Sequence, residues 1–306
     1  MAKKFIVAVD LGGTNLKVAL LDSKYKIIDN KILATKRFIK KESLILAIVG
    51  SINKIIKNNL VYKGNILGVG LGLQGPIDVE RGIVHFFPNI PGWKEVNLKN
   101  ILKLRLNLPI FLDNDANLMA LAEHRLGAAK GSRNAVCLTL GTGVGGGIII
   151  AGRLYRGSSF AAGEIGHMPI NEKGAPCECK GIACLETYIG NKRIMKEAKR
   201  QFRRQIALEE LSALAKEKNK PALMLWSEVG RHLGVALVVV VNLLNPDCIV
   251  IGSGVANAGR ALFNEVKKVI ASRAMRVQAK EAKIVKAKLG TDAGLIGAAI
   301  LVKQRI

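Results

Sequence analysis

Phe5-Ile-Val-Ala-Val-Asp-Leu-Gly-Gly-Thr-Asn-Leu-Lys-Val-Ala-Leu-Leu-Asp22 reads as a strand, a glycine turn and a second strand. Aliphatic residues of high strand propensity flank a tip at Asp10-Leu-Gly-Gly-Thr14. Ala135-Val-Cys-Leu-Thr-Leu-Gly-Thr-Gly-Val-Gly-Gly-Gly-Ile-Ile-Ile150 repeats the layout, starting 130 residues after Phe5. Two hairpins of one design, both with Gly/Thr tips, predict a duplicated α/β domain with a nucleotide clamped between the halves.

The rest of the chain fits this frame. Leu44, Ile48, Ile52, Ile55 and Ile56 have helical spacing over Glu42 to Asn58, and Ile66-Leu-Gly-Val-Gly-Leu-Gly follows as a strand. Leu108-Pro-Ile-Phe-Leu112 predicts another strand, ending in an acidic turn, Asp113-Asn-Asp-Ala-Asn117, that caps a helix from about Ala116 to Leu126 before Gly127. A helix from about Met224 to Leu244 precedes the strand Cys248-Ile-Val-Ile-Gly-Ser-Gly254. The small residues of Asp292-Ala-Gly-Leu-Ile-Gly-Ala-Ala-Ile300 suit a terminal helix packed closely on the first domain.

The 306 residues allow roughly two domains of ordinary size. The net charge of +24 is spread along the chain, densest over Lys192 to Arg204 and Lys267 to Lys288, with only 14 aromatic residues and no interleaving. That pattern predicts a lysine-rich surface and no specific nucleic-acid partner. The apolar run Val235 to Leu244 is too short to span a bilayer, and Lys3-Lys4 precede a short strand rather than a leader, so no membrane partner and a cytoplasmic location are expected.

Glycines at the hairpin tips let backbone N–H groups approach a phosphate, Thr14 adds a hydroxyl, and Asp10 can hold magnesium through water. Gly141-Thr-Gly-Val-Gly-Gly-Gly147 and Gly252-Ser-Gly254 are the second and third such loops. None is a Walker A loop, since no Gly-Lys-Ser/Thr follows, and Asp10-Leu-Gly-Gly opens a hairpin rather than the helix of a dinucleotide fingerprint. Asp113 and Asp115, at the carboxyl end of a strand, compete for the roles of general base and helix cap.

Cys137 and Cys248 sit in apolar runs and read as buried strand residues. Cys177, Cys179 and Cys184 instead cluster near His167, with the ligand count and identity of a structural Cys₃His zinc site. Glu164 and Glu186 flank this segment, where a stiffened loop could present them to sugar hydroxyls.

These residues together resemble the ROK family of sugar kinases, within the actin-like ATPase superfamily. The likeness covers nearly the whole chain: Asp10-Leu-Gly-Gly-Thr, Gly75-Pro-Ile-Asp78, Pro88-Asn-Ile-Pro-Gly-Trp93, Asp113-Asn-Asp-Ala-Asn117, Gly141 to Gly147, Gly163-Glu-Ile-Gly-His167, the cysteine cluster, Asn245-Pro246 and Gly252 to Gly254. It implies a two-lobed, ribonuclease H-like α/β fold with duplicated domains and an interlobe cleft. The small lobe would comprise residues 1–115 with a C-terminal helix at about 291–306. The larger lobe, 116–290, would carry the zinc loop.

The resemblance further implies Asp115 as the base that takes the proton from a hexose 6-hydroxyl. Asn89, Asn114, Glu164, His167 and Glu186 would grip the sugar. Gly12, Gly13, Thr14, Thr142 and Gly143 would surround the ATP phosphates, Asp10 would serve magnesium, and Gly252 and Gly254 would face the adenosine. His167, Cys177, Cys179 and Cys184 would bind zinc, and a homodimer would be the usual assembly. Glucose is the first choice of substrate. N-acetylglucosamine, N-acetylmannosamine and fructose kinases share the catalytic set, and polyphosphate is a conceivable donor in place of ATP. The rival reading is a sugar-responsive regulator, which would carry a helix-turn-helix ahead of Phe5. Four positions depart from the family pattern, one of them Gly190, where a serine is common four residues after the glutamate. Lys180, Ala183 and Ser253 stand where glycine is usual.

Overall fold

The structure is a computed structural model and describes residues 3–38, 40–87 and 90–306. It comprises two compact units. One is Met1–Ala122 with Arg156–Ala162 and Thr291–Ile306, and the other is Glu123–Tyr155 with Gly163–Gly290.

The first unit opens with β1 (Phe5–Leu11), β2 (Asn15–Asp22), β3 (Ile27–Ala34), α1 (Lys41–Asn58) and β4 (Ile66–Leu73). Short strands β5 (Ile77–Asp78), β6 (Ile83–Phe86) and β7 (Lys94–Asn97) form a small antiparallel sheet, followed by α2 (Leu98–Leu106), β8 (Ile110–Asn114) and α3 (Asp115–Leu126). The second unit contains β9 (Ala135–Leu140), β10 (Val144–Ile150), β11 (Arg153–Tyr155), α4 (Glu186–Ile189), α5 (Asn191–Phe202), α6 (Leu208–Lys216), α7 (Lys220–Leu244), β12 (Cys248–Gly252), α8 (Arg260–Arg273), α9 (Arg276–Glu281) and β13 (Lys283–Lys286). The last helix, α10 (Ala293–Arg305), belongs to the first unit.

The main sheet of the first unit runs β3-β2-β1-β4-β8, with β1 to β3 antiparallel and β1, β4 and β8 parallel. The second unit repeats this as β11-β10-β9-β12-β13, with the same directions at every step. The duplication read from the two hairpins is therefore present strand by strand.

Small residues let α10 close on the first sheet. It packs on β4 and β1, where an added Cβ at Gly70 would overlap the backbone of Ala298, and it also meets α3, where one at Gly297 would overlap the Leu118 carbonyl. On the other face, Leu44, Ile48, Ile52 and Ile55 of α1 join the core.

Two elements differ from the sequence reading for identifiable reasons. The helix expected from Met224 begins at Lys220, because the Asn219 side chain accepts the Ala222 N–H and Pro221 sits in the first turn. The resulting 25-residue α7 is long and apolar enough to cross a bilayer, whereas the run starting at Val235 is by itself too short. Leu225, Trp226, Val229, Leu233, Leu237 and Val241 bury one face of it in the core of the second unit. The strand expected to end at Leu112 continues through Asn114, in register with β4 to its last residue, so the acidic corner begins as strand.

Glu123 is fully buried, and among the described residues it forms no ion pair. Its carboxylate accepts the backbone N–H groups of Ala128, Lys288 and Leu289 at 2.7–3.1 Å. A buried carboxylate with three N–H donors is compensated by hydrogen bonds rather than by charge.

Candidate active site

The first unit aligns its candidate residues through sheet register. Asp10 of β1 pairs with Gly72 of β4, and Gly72 pairs with Asp113 of β8. Asp10 and Asp113 thus share one cross-strand row, about 10 Å apart at two strand spacings. In the next row, Leu11, Leu73 and Asn114 mark the carboxyl ends of the three parallel strands.

Asp113 and Asp115 differ in their surroundings. Asp113 is completely buried. Its Oδ2 accepts Nε and Nη2 of Arg156 at 2.9 and 2.6 Å, while Oδ1 accepts the Asn114 N–H and Asn117 Nδ2 at 2.8 and 2.9 Å. Both oxygens are committed to holding the corner. Asp115 is half-buried at the first position of α3, and its Oδ1 accepts the Ala116 N–H at 2.9 Å. Asn114 is tied at both ends of its amide, with Oδ1 accepting the Ala116 N–H at 2.9 Å and Nδ2 donating to the Gly75 carbonyl at 3.2 Å.

Arg156 has no motif to announce it. Replacing it with Met would leave Asp113 buried and unpaired, a loss of about 3–5 kcal/mol. Urea denaturation should show that loss for Arg156→Met, and much of it should return in the Asp113→Asn/Arg156→Met double variant. A single variant as stable as wild type would contradict this account of the ion pair.

At the first hairpin tip the Gly12 N–H donates to the Asn15 carbonyl at 3.0 Å, and the Thr35 hydroxyl donates to the Gly12 carbonyl at 3.0 Å. Thr14 accepts the Thr35 N–H at its carbonyl, 2.8 Å away. Asp10 faces Lys17, its strand partner, at 3.9 Å, and a Cβ on Gly294 would stand within 2.6–2.8 Å of its carboxylate atoms. Burial pushes the Asp10 carboxyl up, and Lys17 opposes that shift. Gln74 carries no motif in the sequence; its amide lies where a Gly13 side chain would touch it, at 3.5 Å. Asn89 lies outside the described residues.

In the second unit, His167 and three cysteines of the loop that follows it converge. One ligand atom each from His167, Cys177, Cys179 and Cys184 lies within 4.8 Å of the others. Cys179 Sγ and Cys184 Sγ are 3.7 Å apart, and His167 Nδ1 is 3.6 Å from Cys177 Sγ. Tetrahedral zinc with Zn–S bonds of about 2.3 Å spaces its sulfurs about 3.8 Å apart, so the donor set and its size both fit that ion. His167 presents Nδ1 to the thiols and Nε2 to Glu164 Oε2, 3.9 Å away. Burial pushes the Glu164 carboxyl up; His167 opposes the shift and Glu186 adds to it.

The Gly163–His167 stretch packs directly on β10. Gly163, at φ +95°, lies so near Gly146 that an added Cβ would overlap its carbonyl, and one on Gly166 would overlap that of Val144. The motif glycines are therefore contact glycines. Glu186, at the start of α4, accepts the Val144 N–H at 2.7 Å through Oε2. Gly252 ends β12 beside Thr139, and Gly254 opens the following short turn.

All three departures from the glycine pattern adopt the conformation glycine would favour. Lys180, Ala183 and Ser253 have φ of +73°, +56° and +67°. Ser253 combines this with ψ −169°, a region almost reserved for glycine. Ser253→Gly relieves strain of about 1–3 kcal/mol against roughly 1 kcal/mol of added chain entropy. It should therefore raise stability by on the order of 1 kcal/mol. A lower melting temperature would contradict that balance.

The ROK family model matches residues 6–305. The chain is 36% identical to the glucokinase of Halalkalibacterium halodurans over 320 residues, covering 100% of this chain and 97% of that one. Among solved structures it resembles a ROK family glucokinase from Streptomyces griseus in complex with glucose and AMPPNP, with a TM-score of 0.85 and 29% identity, covering 99% of this chain and 100% of that one. It also resembles a ROK family transcriptional regulator, homolog of the E. coli MLC protein, with a TM-score of 0.91 and 25% identity, covering 98% of this chain and 78% of that one.

Proposed function

The chain belongs to the ROK family, and from that premise we propose that it is an ATP-dependent sugar kinase that phosphorylates a hexose, glucose first, at the 6-hydroxyl. The observation that carries this reading is the division of labour at the corner of β8 and α3. Asp113 spends both oxygens on structure, whereas Asp115 sits half-buried just past the strand ends.

Asp115 is the base. Its carboxylate takes the proton of the 6-hydroxyl as that oxygen attacks the terminal phosphorus, and α3 keeps it in place through the Ala116 N–H. Asn114, Glu164, His167 and Glu186, with Asn89, orient the sugar hydroxyls. The glycine loops take the nucleotide. Neither Gly12 nor Gly141 has positive φ, and an added Cβ would meet only Asn15 O at 3.9 Å or nothing within 4 Å, so the protein's own packing does not require glycine there. Close approach by a phosphate does. Gly252 and Gly254 face the adenosine, and Thr14, Thr142, Gly13 and Gly143 complete the phosphate side.

Asp10 would hold magnesium through water, and the ion would neutralise charge on the phosphates when bound. His167, Cys177, Cys179 and Cys184 would hold a zinc ion whose contribution is to order the loop. A homodimer in the cytoplasm completes the proposal.

A coupled ADP-release screen over glucose, N-acetylglucosamine, N-acetylmannosamine, mannose and fructose tests the substrate, with polyphosphate as an alternative donor. The reading expects the highest kcat/KM with glucose and ATP. No turnover with any of these sugars would sink it.

A further inference from the structure

The tip of the β9–β10 hairpin is fixed to the segment that follows the cysteine loop by two hydrogen bonds. The Val144 N–H donates to Glu186 Oε2 at 2.7 Å, and the Asn191 N–H donates to the Gly141 carbonyl at 3.0 Å. A Cβ on Gly190 would stand 3.4 Å from the Thr142 carbonyl. The carboxylate of Glu186 also occupies the space a side chain at 143 would need, since a Cβ there would lie 2.5 Å from Oε2. Gly143 does not have positive φ, so the carboxylate, and not the backbone conformation, excludes a side chain. Among the described residues no hydrogen bond to Oε1 is present, which leaves that oxygen for a hydroxyl.

From this arrangement we infer that Glu186 is a positioning residue for the phosphate-side loop as well as a sugar contact, so that one carboxylate couples the two substrates. The inference rests on the kinase reading above. Oε2 fixes the Val144 N–H and with it the backbone of Thr142 and Gly143. A sugar hydroxyl donating to Oε1 fixes the plane of the same carboxylate. Sugar binding therefore narrows the conformations of the loop that meets the nucleotide, and each ligand tightens the other.

The test is calorimetric titration of the whole protein with AMPPNP in the absence of sugar. Glu186→Asp keeps the charge but is one methylene too short to reach Val144, and it should weaken AMPPNP binding about tenfold, the scale of one charge-assisted hydrogen bond. Gly143→Ala, which displaces the carboxylate from the other side, should give a similar loss. Glu186→Gln retains an acceptor of full length, so AMPPNP affinity should stay within a few-fold of wild type while glucose affinity falls. Zinc content and far-ultraviolet circular dichroism establish that each variant is folded. Unchanged sugar-free AMPPNP affinity in folded Glu186→Asp and Gly143→Ala would overturn the inference, because a residue serving the sugar alone would behave that way. Wild-type protein that fails to bind AMPPNP even with glucose present would instead overturn the kinase reading itself.

Discussion

Asp115→Asn is expected to lower kcat by about 10²–10⁴, the usual worth of a positioned general base. Asparagine is isosteric and keeps an oxygen for the Ala116 N–H, so α3 and its corner should survive. It cannot take a proton. Sugar affinity, measured by calorimetry, should stay within a few-fold because Glu164, His167 and Glu186 are untouched. Asp113→Asn should behave differently, since Asp113 faces Arg156 and Asn117 rather than a reacting atom. Its loss should appear in denaturation. Turnover within a few-fold of wild type in Asp115→Asn would remove Asp115 from the role of base.

Cys179→Ser is expected to abolish zinc binding, from about one equivalent per chain to near none by elemental analysis. The loop from Pro176 to Cys184 is held by two isolated bridges, Pro169 with Cys184 and Pro176 with Ile182, and it contains the strained Lys180 and Ala183. Such a segment has little apolar surface to order it, whereas a closed zinc site contributes on the order of 10 kcal/mol. Cys179 is exposed, so the substitution opens no cavity, and its thiol is held below the usual thiol value first of all by the Gly181 N–H, which favours the thiolate a metal needs. Glucose affinity should fall at least tenfold, because His167 belongs to the proposed ligand set and Glu186 lies two residues past Cys184. Full zinc content in the variant would refute the ligand set.

Much of the fold and of the site is legible in the residues themselves. The two Gly/Thr hairpins show the duplication and the antiparallel β1–β2 and β9–β10 pairs, because a hairpin fixes its own register, whereas the places of the other strands are not written in them. The spacing of His167, Cys177, Cys179 and Cys184 is enough to bring four ligands together, since short loops leave them few other places to be. What escapes is long-range. Arg156 meets Asp113 across 43 residues of sequence, and nothing in Tyr-Arg-Gly announces a buried ion pair. Glu123 resembles an ordinary helix-surface glutamate until Lys288 and Leu289 close over it, 165 and 166 residues on. The departures at Lys180, Ala183 and Ser253 are visible as identities, but their left-handed backbone is not, because only the surrounding contacts force a non-glycine residue to remain there. Glu186 reads in the sequence as a sugar contact, and its bond to Val144 shows a second task.

The most direct test of the central claim is the position of the new phosphoester. Wild-type protein, ATP, magnesium and glucose should be taken to completion and the product examined by two-dimensional ³¹P–¹H NMR, alongside the Asp115→Asn variant. Glucose 6-phosphate, its phosphorus coupled to the C6 protons, is expected in the wild-type reaction and only a trace in the variant over the same time. Glucose that binds to the wild-type protein but leaves the reaction unphosphorylated would contradict the central claim.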